Sequence, residues 1–112
     1  MLLRCAGLAR EKKGFNILAL DVREHASFTD YFLICSGSSD RQVQALSRHI
    51  EETLKKEQGV KTLGTEGLRG GRWVLLDYGD FVVHVFLDSV RDFFKFDRLW
   101  GSAPEIPIPE ER

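Results

Sequence analysis

The chain has 112 residues, of which 43% are apolar and 29% charged, and its formal net charge at pH 7 is −1. This length suits one globular domain with a single core, and the composition excludes a disordered or fibrous chain. The nearly neutral charge excludes the basic footprint of a protein that binds nucleic acid through phosphate contacts. Acidic residues outnumber basic ones from Glu57 onward, so we expect an acidic patch there that suits a basic partner surface.

The first third of the chain predicts a helix followed by two strands. The mildly amphipathic N-terminal stretch predicts a short helix that ends near Gly14. Residues 15–22 and 29–36 are strand-length runs rich in β-branched and aromatic side chains. The second run is apolar enough to be buried on both faces of a sheet.

The clearest predicted element is a helix between Ser39 and Gly59. Ser39 and Gln42 have the spacing of a capping box, and Gly59 follows a basic last turn, where a left-handed cap is expected. Four apolar residues recur on one helical face, and these are Val43, Leu46, Ile50 and Leu54.

The second half predicts further strands and one or two short helices. Residues 60–64 form a candidate strand, and four glycines within residues 64–71 predict a mobile loop. Residues 71–86 predict a hairpin, and Asp88 is a suitable N-cap for a helix after the second strand of that hairpin. The apolar residues available for packing after this cap are Val90, Phe93, Phe94, Leu99 and Trp100.

This order of elements favours an α+β fold, a mixed β-sheet with its helices packed mainly on one face. We expect a single domain at residues 1–103 and an extended, proline-containing C-terminal tail at residues 104–112.

The cysteines and the termini indicate a reducing compartment. Cys5 and Cys35 lie in apolar stretches without the spacing of a disulfide framework, so we expect both to be reduced. The chain shows no secretory signal or transit extension and no apolar run long enough to cross a membrane. We therefore expect a cytoplasmic protein with no membrane partner.

The hairpin has two faces if Gly79 and Asp80 form a two-residue turn. One face is a core face, made of Val74, Leu76, Tyr78, Phe81, Val83 and Val85. The other face mixes large apolar side chains with an acid and an imidazole, and its members are Trp73, Leu75, Asp77, Val82, His84 and Phe86. This second face has the composition of an active site, a metal site or a docking surface.

A phosphate site is one alternative, because Gly37, Ser38 and Ser39 join a buried strand to a helix N-terminus, where free amides attract anions. The spacing matches neither a P-loop nor a dinucleotide fingerprint, and any strand-to-helix cap uses the same residues. The stretch also resembles the Gly-Ser turn of nucleotidyltransferases. Those enzymes need a pair of carboxylates on a later strand to hold metal ions, and this chain has a helix at that position.

Hydrolysis and metal binding have weaker support. Asp77 and His84 are predicted diagonal neighbours that could share a hydrogen bond, but no nucleophile accompanies them, and Cys35 is expected to be buried and inert. The histidines and cysteines show no paired spacing of zinc ligands. We therefore expect no catalytic residue, no metal and no cofactor.

Docking is the remaining interpretation of the second hairpin face. Trp73 and Phe86 at one end, with Asp77 and His84 nearer the turn, combine apolar contact with a few charges, as binding hot spots do. If the terminal helices cover this face, Trp73 belongs to the core instead. Spacing alone favours neither alternative.

Long ordered motifs then resemble the ribosomal silencing factor family, also called RsfS or Iojap. They are "LDVREHASFTDYFLICSGSSDRQVQAL", "EG", "WVLLDYGDFVVHVF" and "VRDFFKFDRLW", and they extend from about Lys13 to Trp100. Small departures occur in "CSGSS" and "FFKFDRLW". The resemblance implies a mixed sheet with helices, related to nucleotidyltransferases but without their catalytic acids.

The resemblance also implies a function without catalysis. Members bind the large ribosomal subunit through its fourteenth protein, block joining of the small subunit, and lower translation when nutrients are scarce. The docking residues implied by the matching motifs are Trp73, Leu75, Asp77, Tyr78, Asp80, Glu66 and His84. An exposed apolar hairpin also suits a homodimer in the absence of the ribosome. The alternative is a nucleotide-binding or nucleotidyltransferase-like enzyme that uses the turn at Gly37 to Ser39.

Overall fold

A computed structural model describes residues 1–109, which form helices and strands in an α+β arrangement. The helices are α1 (Leu2–Glu11), α2 (Asp40–Gln58), α3 (Asp88–Phe94) and α4 (Phe96–Leu99). The strands are β1 (Phe15–Asp21), β2 (Tyr31–Gly37), β3 (Gly64–Glu66), β4 (Trp73–Asp77), β5 (Phe81–Leu87) and β6 (Glu105–Ile106). No helix in this described range is long and apolar enough to cross a membrane.

The strands form one mixed sheet in the order β3-β4-β5-β2-β1-β6. The central pair, β2 and β5, is parallel, and the other pairs are antiparallel. The two longer helices, α1 and α2, pack on one face over the larger apolar cluster. The short helices α3 and α4 pack on the other face. The predicted fold class, an α+β fold with a mixed sheet, is confirmed, and the two longer helices lie on one face.

Local signals explain why α2 begins and ends where predicted. The Ser39 hydroxyl accepts a hydrogen bond from the Gln42 amide at 3.1 Å, which satisfies a free helix donor. The Gln42 side chain accepts from the amide of Ser38 at 2.6 Å, one residue earlier than in a standard capping box. At the other end Gly59 adopts a left-handed conformation with φ of 66°.

The hairpin has the predicted register. Trp73 lies opposite Phe86, and Asp77 lies opposite Val82, while Gly79 takes a φ of 85° in the turn. The predicted core face packs beneath α1 and α2 with the rest of the larger cluster.

The segment between α2 and β4 differs from its prediction. The strand expected at residues 60–64 instead spans Gly64–Glu66 as β3, within the stretch expected to be a loop. The turn after β3 is anchored rather than loose, because the side-chain amide of Gln44 donates to the carbonyls of Leu68 and Arg69 at 3.1 and 2.8 Å. Gly71 lies so close to α2 that a β-carbon would be 2.6 Å from the Asp40 carbonyl oxygen.

The C-terminal elements match in outline. Two short helices come after β5, as one of the expected alternatives, but Leu87 is the N-cap and Asp88 is the first helical residue. Within the expected extended tail, Glu105 and Ile106 pair with β1 as an edge strand. The division of the chain at residues 103 and 104 stays a prediction.

Candidate functional site

Five of the predicted docking residues share the second face of the sheet. Glu66 on β3 lies opposite Leu75 on β4, which in turn lies opposite His84 on β5. Trp73 and Asp77 are two residues to either side of Leu75 and therefore point to the same face.

Tyr78 and Asp80 lie elsewhere. The ring of Tyr78 stacks on Phe81 with centroids 4.9 Å apart and packs against the cluster beneath α1 and α2. Its hydroxyl is buried without a hydrogen-bond partner among the described residues, and burial raises its pKa. Asp80 is exposed in the turn. The residues carried over by motif therefore lie on two sides of the sheet.

Helices α3 and α4 cover the middle of the second face. His84 and Phe86 are 4% and 0% exposed, and Phe96 of α4 contacts both rings. The cover ends at β4, where Trp73 and Leu75 are only half-buried. One part of Trp73 thus belongs to the core and another part to the surface. Spacing alone left these two alternatives open, and the structure shows both.

Aromatic contacts fix the position of Trp73. Its ring stacks on Phe86 with centroids 4.7 Å apart and meets Phe96 edge-on at 5.5 Å. On the outer side it lies 5.8 Å from the ring of Phe94. The indole N–H donates a hydrogen bond to Nδ1 of His84 at 3.1 Å.

The expected contact between Asp77 and His84 is not formed. The two residues are diagonal neighbours, as predicted, but each has a nearer partner. The Asp77 carboxylate accepts from the Gly79 amide at 2.8 Å, and His84 accepts from Trp73. Burial lowers the pKa of His84 to about 3, so the ring is neutral near pH 7. The arrangement lacks the oriented acid and base that hydrolysis requires.

The turn that carries Asp80 is held by its backbone. The Asp80 carbonyl accepts from the amides of Asp30 and Tyr31 at 3.1 and 3.2 Å. The Thr29 hydroxyl donates to the Gly79 carbonyl at 2.9 Å. These bonds fix the backbone of the turn, from which the exposed Asp80 side chain projects.

Exposed apolar residues of α3 and α4 are a feature that the sequence did not reveal. Phe93, Phe94 and Leu99 are 77%, 51% and 71% exposed, although all three were expected to be available for packing. Lys95 adopts a φ of 51° and separates the two helices, which breaks the helical periodicity. Phe94 extends the apolar surface of Trp73. We use the name β4 edge surface for Glu66, Trp73, Leu75, Asp77 and Phe94.

A buried arginine that was also not predicted attaches α3 and α4 to the sheet. Arg91 donates to both carboxylate oxygens of Asp97 at 2.8 and 2.9 Å. It also donates to the carbonyl of Asn16 at 2.7 Å and the hydroxyl of Ser36 at 2.9 Å. This network fixes the helices that limit the β4 edge surface.

Three of the amides at the helix N-terminus after Gly37 already donate to the chain's own side chains. The amides of Ser38, Arg41 and Gln42 donate to the side chains of Gln42, Asp40 and Ser39, respectively, at 2.6 to 3.1 Å. A phosphate group at a helix N-terminus needs such amides to be free. This geometry disfavours the nucleotide-binding alternative.

The potential ligands for a metal are dispersed. Within residues 1–109, no group of three or more His, Cys, Asp or Glu side chains is placed to hold a metal ion. Cys5 and Cys35 are free and buried, and burial raises the pKa of each thiol to about 12. Neither thiol is activated as a nucleophile.

Comparison with known proteins identifies the family. Residues 1–112 match the family model described as ribosomal silencing factor during starvation. Ribosomal silencing factor RsfS of Bacillus subtilis (strain 168) is 44% identical over 99 residues, which are 88% of this chain and 83% of the relative. A crystal structure from Chromobacterium violaceum superposes with a TM-score of 0.78 at 36% identity and covers 99% of this chain and 94% of that one. A relative from Zea mays, named Protein Iojap, chloroplastic, is 32% identical to this chain. The match covers 93% of this chain and 45% of the relative. The chain belongs to the ribosomal silencing factor family, RsfS.

Proposed function

We propose that this protein lowers translation in the bacterial cytoplasm, when nutrients are scarce, by binding the large ribosomal subunit through its fourteenth protein. Bound there, it sterically blocks joining of the small subunit. The names of its relatives support a regulatory role in translation rather than an enzymatic one. The observation that carries the docking part of the proposal is the β4 edge surface.

The chemistry of the β4 edge surface suits a basic protein partner. Trp73 and Leu75 provide a half-buried apolar centre, and Phe94 extends it. Glu66 lies directly across from Leu75, and Asp77 lies further along the same face, so carboxylates flank the apolar centre. Interfaces combine an apolar centre with a polar rim in this way.

The residues of the hairpin turn have a secondary part in this proposal. Asp80 projects from a turn fixed by backbone hydrogen bonds and offers a further carboxylate to a basic partner. Tyr78 packs on the opposite side of the sheet, where it supports the turn, and His84 lies beneath the surface. We assign direct contact to the β4 edge surface and Asp80.

The test is co-sedimentation of the purified protein with large ribosomal subunits. Trp73→Ala should abolish most of the binding, because the ring provides the largest apolar contact. Leu3→Ala is the matched control, since Leu3 is an exposed apolar residue on α1, on the other side of the sheet. If the Trp73→Ala variant binds large subunits as well as wild type does, the proposed surface is wrong.

We also propose that the free protein self-associates through the β4 edge surface and the adjoining Phe93. Trp73, Phe94 and the exposed Phe93 form a contiguous aromatic patch, and a symmetric dimer would remove it from water. Sedimentation velocity should show a dimer that dissociates when Phe93 and Phe94 are both changed to Ser. A wild-type protein that stays monomeric at micromolar concentration would contradict this proposal.

A further inference from the structure

The hydrogen bond between Trp73 and His84 determines which atom of the imidazole carries the proton. An indole N–H can only donate, so Nδ1 of His84, 3.1 Å away, must accept. A neutral imidazole with an accepting Nδ1 carries its proton on Nε2.

The surroundings of His84 keep the ring in this neutral form. Phe32 meets the imidazole edge-on with centroids 4.5 Å apart, and Phe96 lies 4.8 Å away. Phe86 is parallel to it at 6.2 Å. Nε2 is buried without a hydrogen-bond partner in the described residues. A second proton would have to occupy Nδ1, which would break the bond to Trp73 and place a charge among aromatic rings.

We propose that His84 is a positioning residue that fixes the Trp73 indole and occupies its only polar group, so that Trp73 offers a partner a purely apolar surface. This inference rests on the proposed function, in which Trp73 contacts the ribosomal partner. It changes the part assigned to His84, which is 4% exposed and acts through Trp73. It also specifies the partner chemistry: the segment that covers Trp73 carries aliphatic or aromatic side chains rather than a hydrogen-bond acceptor for the indole.

The position of Trp73 shows why such support matters. The ring lies at the edge of the cover formed by α3 and α4, with Phe86 on one face and Phe94 on the outer side. Stacking alone permits a ring to slide or turn in its own plane, whereas a hydrogen bond from the indole edge fixes that rotation. A ring already held in its bound orientation loses less entropy on association.

Two substitutions at the same position separate positioning from packing. His84→Asn keeps an acceptor on Cγ, where Nδ1 is attached, whereas His84→Leu keeps apolar bulk and removes the acceptor. Binding to large ribosomal subunits should fall about tenfold in His84→Leu, in keeping with the loss of a buried hydrogen bond, and should be largely retained in His84→Asn. Trp73→Ala is measured beside them as the test of the docking surface itself.

Nuclear magnetic resonance of the full ¹⁵N-labelled chain gives a readout independent of binding. The chain has three histidines and two tryptophans, so their ring signals are few enough to assign. Between pH 5 and pH 8, His84 should keep a protonated Nε2 and an unprotonated Nδ1. The Trp73 indole proton should exchange slowly with water in wild type and His84→Asn and faster in His84→Leu.

The outcomes distinguish the two proposals. A protonated Nδ1 in wild type overturns the inference, as does a folded His84→Leu variant that binds normally while Trp73→Ala does not. If Trp73→Ala itself binds normally, the proposed docking surface is wrong, and the docking part of this inference falls with it. If His84→Leu does not fold, the proton assignment and the His84→Asn variant still test the inference. A folded His84→Asn variant that keeps a slowly exchanging Trp73 indole proton but loses binding would contradict the positioning role.

Discussion

The carboxylate of Asp77 has one use that the structure shows and a second that we propose. One oxygen accepts a hydrogen bond from the backbone amide of Gly79 at 2.8 Å and so stabilises the hairpin turn. The negative charge lies on the face of the β4 edge surface, where it is available to a basic partner. The first use needs an oxygen acceptor and the second needs a charge, so the two can be separated by substitution.

The Asp77→Asn variant should keep most of the unfolding free energy, because its side-chain oxygen can still accept a hydrogen bond from the backbone amide of Gly79. It should lose binding, because the Asn side chain carries no charge. Asp77→Ala should also lose about 1 kcal/mol of unfolding free energy, since the turn amide loses its partner. If Asp77 is central to the interface, the Ala variant should bind about 2 kcal/mol more weakly or worse. Urea denaturation and co-sedimentation measure the two effects. An Asn variant that binds as wild type does would contradict the role of the charge.

At the scale of single residues, the sequence predicts where side chains lie better than it predicts their hydrogen-bond partners. Alternation and the Gly79 turn correctly placed Asp77 and His84 as diagonal neighbours. Their hydrogen bonds depended on two competing donors, the Gly79 amide and the Trp73 indole. Both competitors were in the sequence, but only the folded geometry decides which donor reaches which acceptor.

At the scale of elements, α3 and α4 depend on the network of Arg91. The guanidinium joins Asp97 on α4 to Asn16 on β1 and Ser36 on β2. Its donation of hydrogen bonds is the main reason that the pKa of Asp97 lies below its usual 3.8. A carboxyl with a lowered folded pKa stabilises the fold at pH values above its unfolded pKa, and this contribution is lost as the pH falls through the lowered value.

Asp97→Asn should therefore reduce stability at pH 7 and differ less from wild type in acid. Because the Asp97 side chain is half-exposed, solvent screening limits the loss to about 1 kcal/mol or less. Urea denaturation at pH 7 and near pH 2.5 measures the difference, with Asp92→Asn as a control on an exposed carboxylate of α3. An equal difference at both pH values would contradict the assignment.

The elements differ in how well local signals specify them. Helix α2 was predicted with its ends because Ser39 and Gly59 cap it and its apolar face is periodic. The exposure of Phe93 and Phe94 was not predicted, because it depends on the left-handed conformation of Lys95, and lysine does not signal such a break. The anchored glycine loop depends on Gln44, a contact between distant parts of the chain.

At the scale of the whole molecule, parallel pairing of β2 and β5 brings two halves of the chain together. The α+β class was predictable from the element order, whereas the strand order depends on long-range pairing that periodicity does not encode. Helices α1 and α2 lie on one side of the sheet. On the other side, the cover formed by the short helices α3 and α4 ends at β4. The proposed docking surface lies between covered and open sheet, so binding there would need no change of fold.

Nucleoside triphosphates with magnesium should not change the thermal stability of this protein. Three amides after Gly37, those of Ser38, Arg41 and Gln42, already donate to the side chains of Gln42, Asp40 and Ser39 and are not free to hold a phosphate. A ligand at about one hundred times its dissociation constant would add roughly 2.7 kcal/mol of stability. A rise in melting temperature of several degrees with any one nucleotide would support the enzymatic alternative instead.

The most direct test of the central claim is the joining of purified ribosomal subunits in the presence of this protein. We expect wild type to leave the subunits separate. A variant that combines Trp73→Ala with Asp77→Asn should permit 70S-type particles to form on a sucrose gradient, provided that circular dichroism shows it folded. Inhibition of joining by that folded variant at the wild-type concentration would contradict docking through the β4 edge surface. Free joining in the presence of excess wild-type protein would contradict the silencing function itself.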